Sequence, residues 1–171
     1  VSEPGAGCTI WFTARLRKDT RDDIAPIASA GSAEAALART CRDSRILVVD
    51  DEAISRKVTQ ELLQVALPSV DVAESGDEAV QLAGANAYDL ILMDVQMPGM
   101  DGLEATRRIR AIPGGALMPI IALTANAFTG DKARCLAAGM NDFIAKPISP
   151  DGMYATLVKW LSHEPEGPDG S

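Results

Sequence analysis

The chain has 171 residues, of which 47% are hydrophobic, 23% are charged and 4% are aromatic. This size fits one compact domain with flanking segments and leaves too little chain for two full domains. The formal net charge is −8, so nucleic acid is not expected as a direct partner. No apolar run approaches the roughly 20 residues that cross a bilayer, which favours a cytoplasmic protein.

Residues 1–44 differ in composition from the rest of the chain. A short apolar stretch over residues 10–16 is followed, over residues 17–44, by charged residues, Ala, Ser and Gly without a sustained period. That composition is typical of a linker. We therefore expect deletion of residues 1–42 to leave the stability of the following domain nearly unchanged.

Cysteine and histidine offer little chemistry in this sequence. Cys8, Cys41 and Cys135 are widely spaced and odd in number, which favours reduced thiols over a disulfide framework or a four-ligand metal site. The single histidine, His163, lies in an acidic stretch over residues 162–171 that also contains Gly and Pro. We expect that stretch to be a flexible tail and His163 to have no catalytic role.

Short apolar runs recur from Arg45 onward. β-Branched runs of this length, bounded by Asp, Pro or Thr, are typical of strands buried on both faces of a parallel sheet. Three are strong and two are weaker: residues 46–49, 90–93 and 120–123, then residues 70–73 and 143–145.

Helical patterns fill the segments between the runs. Two segments repeat apolar residues at helical spacing, which places an apolar stripe on one face of each helix. Their members are Ile54, Val58, Leu62 and Val65 in the first, and Leu103, Thr106 and Ile109 in the second. Ser149 and Pro150 are typical of a helix start, and Gly139 is placed to end a helix over residues 131–138. Strand and helix alternate about five times, which predicts a doubly wound α/β domain.

Polar residues follow the predicted strands at the edge where such folds carry their function. They are Asp50 and Asp51 after the first strand, Asp94 after the third, Thr124 after the fourth and Lys146 after the fifth. Two carboxylates about 4 Å apart repel by about 4 kcal/mol at an effective dielectric constant of about 20. The edge therefore favours a hard divalent cation with oxygen ligands, such as Mg²⁺.

A lysine and a hydroxyl beside such carboxylates suit phosphoryl transfer, which needs positioning and charge stabilisation. Asp94 is the candidate nucleophile for an aspartyl-phosphate. Each feature has an ordinary alternative, since an acidic pair often caps a helix and a threonine often ends a turn. Their joint order after strands one, three, four and five favours a functional site.

The sequence resembles the receiver domain of two-component signalling proteins, the phosphoacceptor module of response regulators and hybrid histidine kinases. The strongest stretches are residues 46–58, 90–110, 119–127 and 143–148. The resemblance implies a flavodoxin-like (βα)5 fold over residues 45–161, with five parallel strands in the order 2-1-3-4-5.

The resemblance also implies the role of each site residue. Asp94 is the phosphorylated aspartate, and Mg²⁺ is held by Asp51 and Asp94, with Asp50 completing the acidic pair and the Gln96 backbone carbonyl as a further ligand. Thr124 is the switch hydroxyl and Lys146 is the conserved-type lysine of the family.

Phe143 corresponds to the aromatic switch residue, three positions before Lys146. Because Phe143 has no hydroxyl, where relatives often have tyrosine, any switching must depend on packing. The peptide bond between Lys146 and Pro147 is expected to be cis on the resemblance alone.

A second resemblance covers residues 5–16, which look like the last glycine loop and final strand of a histidine-kinase ATPase domain, apart from Cys8 and Ile10. The implied plan is an ATPase-domain remnant over residues 1–16, a linker over 17–44, a receiver over 45–161 and the tail, as in a hybrid histidine kinase. No asparagine-bearing nucleotide motif or phosphorylated histidine is recognisable, so we expect no ATP binding.

The function implied is transfer of a phosphoryl group from phosphohistidine to Asp94, with a histidine-kinase core or a histidine-phosphotransfer protein as partner. Two alternatives stay open. One is a haloacid-dehalogenase-like phosphatase, although that family has an Asp where this chain has Gln96. The other is a degenerate receiver that acts only in docking. The resemblance is compatible with a membrane-anchored parent kinase.

Overall fold

The computed structural model describes residues 30–125 and 129–162. The ATPase-domain resemblance, Cys8, His163 and nearly all of the predicted tail lie outside those ranges. Within them, no helix is long and apolar enough to cross a membrane.

Five strands form one parallel sheet in the order β2-β1-β3-β4-β5. Both the strand order and the parallel direction confirm the predicted fold. Each strand lies within one residue of its predicted position, because the apolar runs are the segments that the two helical layers bury. The strands are β1 (Arg45–Val49), β2 (Ser69–Ala73), β3 (Leu90–Asp94), β4 (Ile120–Thr124) and β5 (Asp142–Ala145).

In the described ranges, six helices cover the two faces of the sheet. They are α1 (Ala30–Thr40), α2 (Ala53–Gln64), α3 (Gly76–Ala85), α4 (Gly102–Ala111), α5 (Thr129–Ala138) and α6 (Pro150–Leu161). Along each strand, alternate side chains enter one of two buried clusters, as the pleat requires. In β1, Leu47 belongs to the cluster beneath α3, α4 and α5, whereas Ile46 belongs to the cluster beneath α1, α2 and α6.

Local signals account for several helix ends. Gly139 follows α5 with a φ of +100°, the left-handed conformation expected at that position. Ser149 has an extended backbone before α6, and Pro150 is the first helical residue. Gly102 opens α4 against the end of β3, where a Cβ atom would collide with the Asp94 carbonyl oxygen.

The described part of the predicted linker over residues 17–44 contains a helix, and the burial of that helix contradicts the expectation that residues 1–42 can be deleted with little loss of stability. Residues 30–40 form α1, which packs against α6. Leu37 is fully buried, and Cys41, just after the helix, is 4% exposed. The physical reason is tertiary, because one leucine and several alanines fit against α6 without forming a repeating apolar pattern. The division of the chain into domains stays a prediction.

Of the apolar stripe predicted for α2, only Leu62 packs against a buried cluster, and the other three members lie at the surface. Thr59 and Leu63 are the buried residues of α2. Ile54, Val58 and Val65 are 74%, 49% and 66% exposed. The helix has two candidate apolar faces, and periodicity alone does not show which one meets the strands.

Candidate functional site

The carboxyl ends of the strands bring the predicted acidic residues together. Asp50 and Asp51 follow β1, and Asp94 is the last residue of the neighbouring strand β3. One carboxylate oxygen of each residue lies within 4.8 Å of the other two. The group has only oxygen donors, which suits a hard divalent cation.

Asp94 is held by contacts on both sides of its carboxylate. The residue is 6% exposed. Its Oδ1 accepts a hydrogen bond from the Gln96 backbone N–H at 2.9 Å, and its Oδ2 accepts one from Lys146 Nζ at 2.6 Å. These contacts fix the orientation of the carboxylate while leaving it at the sheet edge.

Asp50 is fully buried. Its Oδ2 accepts hydrogen bonds from Lys146 Nζ at 2.8 Å and Ser55 Oγ at 2.6 Å. Its Oδ1 accepts one from the Glu52 backbone N–H at 2.9 Å. Asp51, by contrast, is exposed. The acidic pair therefore combines one anchored carboxylate with one accessible carboxylate.

Lys146 joins the two buried carboxylates through a single ammonium group. Burial alone would lower the pKa of Lys146, but hydrogen bonds to Asp50 and Asp94 and their negative charges raise it above the ordinary value. Lys146 thus stays protonated and supplies the fixed positive charge that the sequence predicts. The bond between Lys146 and Pro147 is cis.

Thr124 and Phe143 lie on the last two strands of the chain, β4 and β5. Thr124, at the end of β4, is 6% exposed, and its backbone carbonyl accepts a hydrogen bond from the Lys146 N–H at 2.8 Å. Phe143 is partly buried and packs against the cluster beneath α3, α4 and α5. Gln96 follows Asp94 by two residues, and its side chain is exposed.

Two residues that the sequence analysis did not identify support the acidic pair. Ser55 donates to the Asp50 side chain, and Arg56 Nη1 donates to the Asp50 carbonyl oxygen at 2.7 Å. Arg56 also pairs with Glu74 after β2 at 3.0 Å. Their position in the first turn of α2, directly after the acidic pair, is the only signal that could have indicated them.

A doubly wound sheet with three carboxylates and a bridging lysine at its carboxyl edge defines a class of phosphoryl-accepting or metal-binding α/β domains. Residues 46–158 match the family model described as the response regulator receiver domain, and the chain belongs to that family. It is a receiver domain of two-component signalling.

Similar proteins of known identity are much longer than this chain. Two-component system protein A of Emericella nidulans is 37% identical over 91% of the chain, which covers 24% of that protein. The histidine-protein kinase BarA of Escherichia coli K12 is 39% identical over 67% of the chain and 12% of its own length. The sensor protein GacS of Pseudomonas syringae is 39% identical over 86% of the chain and 16% of its own length.

Solved structures show the same fold. The receiver domain of the sensor histidine kinase PA1611 from Pseudomonas aeruginosa, which has magnesium in its active site cleft, is 41% identical, with a TM-score of 0.67 over 71% of this chain and 99% of that one. The Ssk1 receiver domain of Saccharomyces cerevisiae, solved with the phosphotransfer protein Ypd1, gives a match at 27% identity and a TM-score of 0.66 over 71% of this chain and 90% of the matched one.

Proposed function

We propose that this chain accepts a phosphoryl group from phosphohistidine on Asp94 and changes its partner surface in response. The observation that carries the proposal is the Asp94 carboxylate, 6% exposed and held between Lys146 Nζ and the Gln96 N–H, next to Asp50 and Asp51. A nucleophile fixed beside a cation and a metal-binding carboxylate pair has what phosphoryl transfer requires.

In the proposed transfer, phosphorus exchanges its bond to the imidazole nitrogen for a bond to Asp94. A carboxylate oxygen of Asp94 forms a bond to phosphorus as the bond from phosphorus to the imidazole nitrogen breaks. The electron pair of the broken bond stays on the imidazole, which leaves as neutral histidine once its protonation adjusts with solvent. Lys146 stabilises the added negative charge, because its ammonium already contacts the acceptor carboxylate at 2.6 Å.

Mg²⁺ is part of the proposal because the donor set fits it. Asp51 and Asp94 would be direct ligands with the Gln96 carbonyl, and Asp50 would complete the acidic pair. A cation held by these residues would supply positive charge to the phosphoryl oxygens, which would otherwise face the negative charges of Asp50 and Asp51. The magnesium in the PA1611 receiver supports the same choice of ion here.

Thr124 and Phe143 are the proposed readers of the phosphoryl group. A phosphorylated side chain gains about 1.5 to 2 negative charges and three acceptor oxygens. The Thr124 hydroxyl can donate to one of these oxygens, and Phe143 can occupy the space that Thr124 leaves. The surface around β4 and α5 then changes, which converts a local charge into a different partner face.

The proposed donor is a histidine-phosphotransfer protein or a histidine-kinase core. The proposed docking face is formed by the exposed members of the α2 stripe, Ile54, Val58 and Val65. The stripe begins at Ile54, three residues after Asp51, so a donor that covers it also reaches the acidic edge. The complex of Ypd1 with another receiver supports this partner class.

We also infer that the chain is the receiver of a cytoplasmic hybrid histidine kinase. The match to the Emericella protein covers 91% of the chain, a longer stretch than the receiver model at residues 46–158. The similarity therefore extends beyond residues 46–158, which supports the proposed ATPase-domain remnant over residues 1–16.

The test is incubation with Mg²⁺ and acetyl phosphate, followed by intact mass measurement. We expect one added phosphoryl group, labile to hydroxylamine because it is an acyl phosphate. Asp94→Asn should abolish the addition, whereas Asp77→Asn, an exposed acidic residue in the first turn of α3, should not. Thr124→Ala should accept the group but lose the conformational response.

Two results would contradict the proposal. Phosphorylation of Asp94→Asn at the wild-type rate would place the acceptor elsewhere. No addition from either acetyl phosphate or a phosphorylated histidine-phosphotransfer protein would favour the degenerate docking receiver instead.

A further inference from the structure

A lysine on α5 lies over the ring of the proposed aromatic switch. Lys132 Nζ is 4.9 Å from the centroid of the Phe143 ring, within the distance of a cation–π interaction. Lys132 is exposed and Phe143 is partly buried. The Phe143 side chain thus packs against the core and also contacts a cation at the surface.

The contact between Lys132 and Phe143 joins α5 to β5, and both lie beside the end of β4 that the proposed switch moves. Phe143 is in register with Ala122 of β4, two residues before Thr124. Alternate residues of a strand share a face, so Ala122 and Thr124 are on the sheet face that α5 covers. Lys132 is in the first turn of α5, the helix that follows Thr124 along the chain.

The position of Lys132 makes the ring contact more significant. A cation in the first turn of a helix faces the positive end of the helix dipole, which disfavours it. The negative face of an aromatic ring compensates for that cost. Phe143 has no hydroxyl with which to hold a position by hydrogen bonding, so an ammonium on its ring is a different means of fixing it.

We infer that Lys132 is a positioning residue for Phe143, a latch that favours the present ring position in the unphosphorylated protein and is released when Asp94 is phosphorylated. The inference rests on the proposed function and adds to it a residue that sets the balance between the two states. A cation–π contact at an exposed site shifts an equilibrium by about two- to fivefold. Such a latch biases the switch without locking it.

The test is a double-mutant cycle on the full chain with Lys132→Met and Phe143→Leu, which remove the charge and the ring while keeping apolar volume. Urea unfolding is measured for the four proteins with Mg²⁺ alone and again with Mg²⁺ and excess acetyl phosphate. Intact mass monitors phosphorylation. We expect a two- to fivefold coupling in the unfolding equilibrium constant without phosphorylation and a coupling near one with it.

Two controls separate the latch from a general charge effect. Lys132→Arg retains a cation and should preserve the coupling with Phe143. Lys57→Met removes an exposed lysine from α2 and should be additive with Phe143→Leu in both states.

Three outcomes would overturn the inference. Additive effects of Lys132→Met and Phe143→Leu in the unphosphorylated protein would show that the contact contributes no coupling free energy. Equal coupling with and without phosphorylation would show a purely structural contact. A wild-type chain that gains no phosphoryl mass would contradict the proposed function itself, and the mass spectrum distinguishes that failure from the other two.

Discussion

Lys146 supplies the positive charge between two carboxylates at the carboxyl edge. Its ammonium contacts two buried carboxylates, and its side chain is 21% exposed. Because its pKa in the folded protein is raised above the ordinary 10.5, its stabilisation is fully present below that value and is lost as the pH rises through the folded-state pKa. Across the neutral range the edge therefore keeps its internal counter-charge.

Replacement of Lys146 by methionine should destabilise the fold by about 2–4 kcal/mol in chelator, since Asp50 and Asp94 would face each other without a cation. Saturating Mg²⁺ should recover part of the loss. Urea unfolding with and without Mg²⁺ measures both effects.

Lys57→Met is the matched control for that change, because Lys57 and its partner Glu61 are each 63% exposed. Its effect should stay below about 1 kcal/mol. Equal losses of unfolding free energy in the two variants would show that the contacts of Lys146 stabilise the fold no more than an exposed ion pair does.

The residues of the edge differ in how far sequence alone could identify them. Asp50, Asp94, Thr124 and Lys146 each end or follow a strand, and parallel topology alone brings such positions to one edge. Ser55 and Arg56 contact Asp50 through the winding and docking of α2. A serine and an arginine in the first turn of a helix are common, so their contacts with Asp50 could be recognised only from the folded structure.

Among the elements, α1 shows how packing can override composition. Its sequence, AGSAEAALART, has good helix formers but a single large apolar residue, Leu37. No apolar period can be recognised from one leucine. The helix nevertheless joins the cluster that contains Leu63 and Leu157, where Leu37 is fully buried.

Leu37→Ala should therefore destabilise the domain by about 2–4 kcal/mol, from lost burial and the cavity left behind. Thr40→Ala, at an exposed position on the same helix, should change stability by no more than about 0.5 kcal/mol. Chemical denaturation of both variants measures the difference. If Leu37→Ala were as stable as Thr40→Ala, α1 would contribute little to the stability of the domain, as expected of a linker.

The stripe on α2 gives an element-scale test of donor docking. Ile54→Ser combined with Val58→Ser should slow phosphotransfer from a histidine-phosphotransfer protein about tenfold, because apolar area is lost from the proposed interface. Transfer from acetyl phosphate should not change, since neither residue belongs to the acidic group. Single-turnover measurements with the two donors separate docking from chemistry.

Leu117→Ser is the control for that pair. Leu117 is 87% exposed and lies shortly before β4, at the amino ends of the strands and away from the acidic edge. Its substitution should leave transfer from both donors unchanged. A similar slowing for Leu117→Ser would indicate a general loss of surface hydrophobicity.

For the molecule as a whole, the sheet was the most predictable part and its helical covering the least. Strands such as β3 are buried on both faces, so their sequence is a continuous apolar run. Helices bury only one face. Local signals mark some of their ends: Ser75 caps the start of α3, where its side chain accepts a hydrogen bond from the Glu78 N–H. The choice of buried face in α2 depends on the entire layer of helices around it.

The whole domain should respond to Mg²⁺ as a single stability unit. Asp50, Asp51 and Asp94 come from two strands of the central sheet, so a cation that binds them binds only the folded chain. Binding to the folded state alone stabilises by about 2.7 kcal/mol at a hundredfold excess over the dissociation constant. We expect the thermal midpoint to rise accordingly between chelator and saturating Mg²⁺. Asp51→Asn should remove most of the rise, whereas Asp77→Asn should retain it, and an unchanged wild-type midpoint would contradict the metal site.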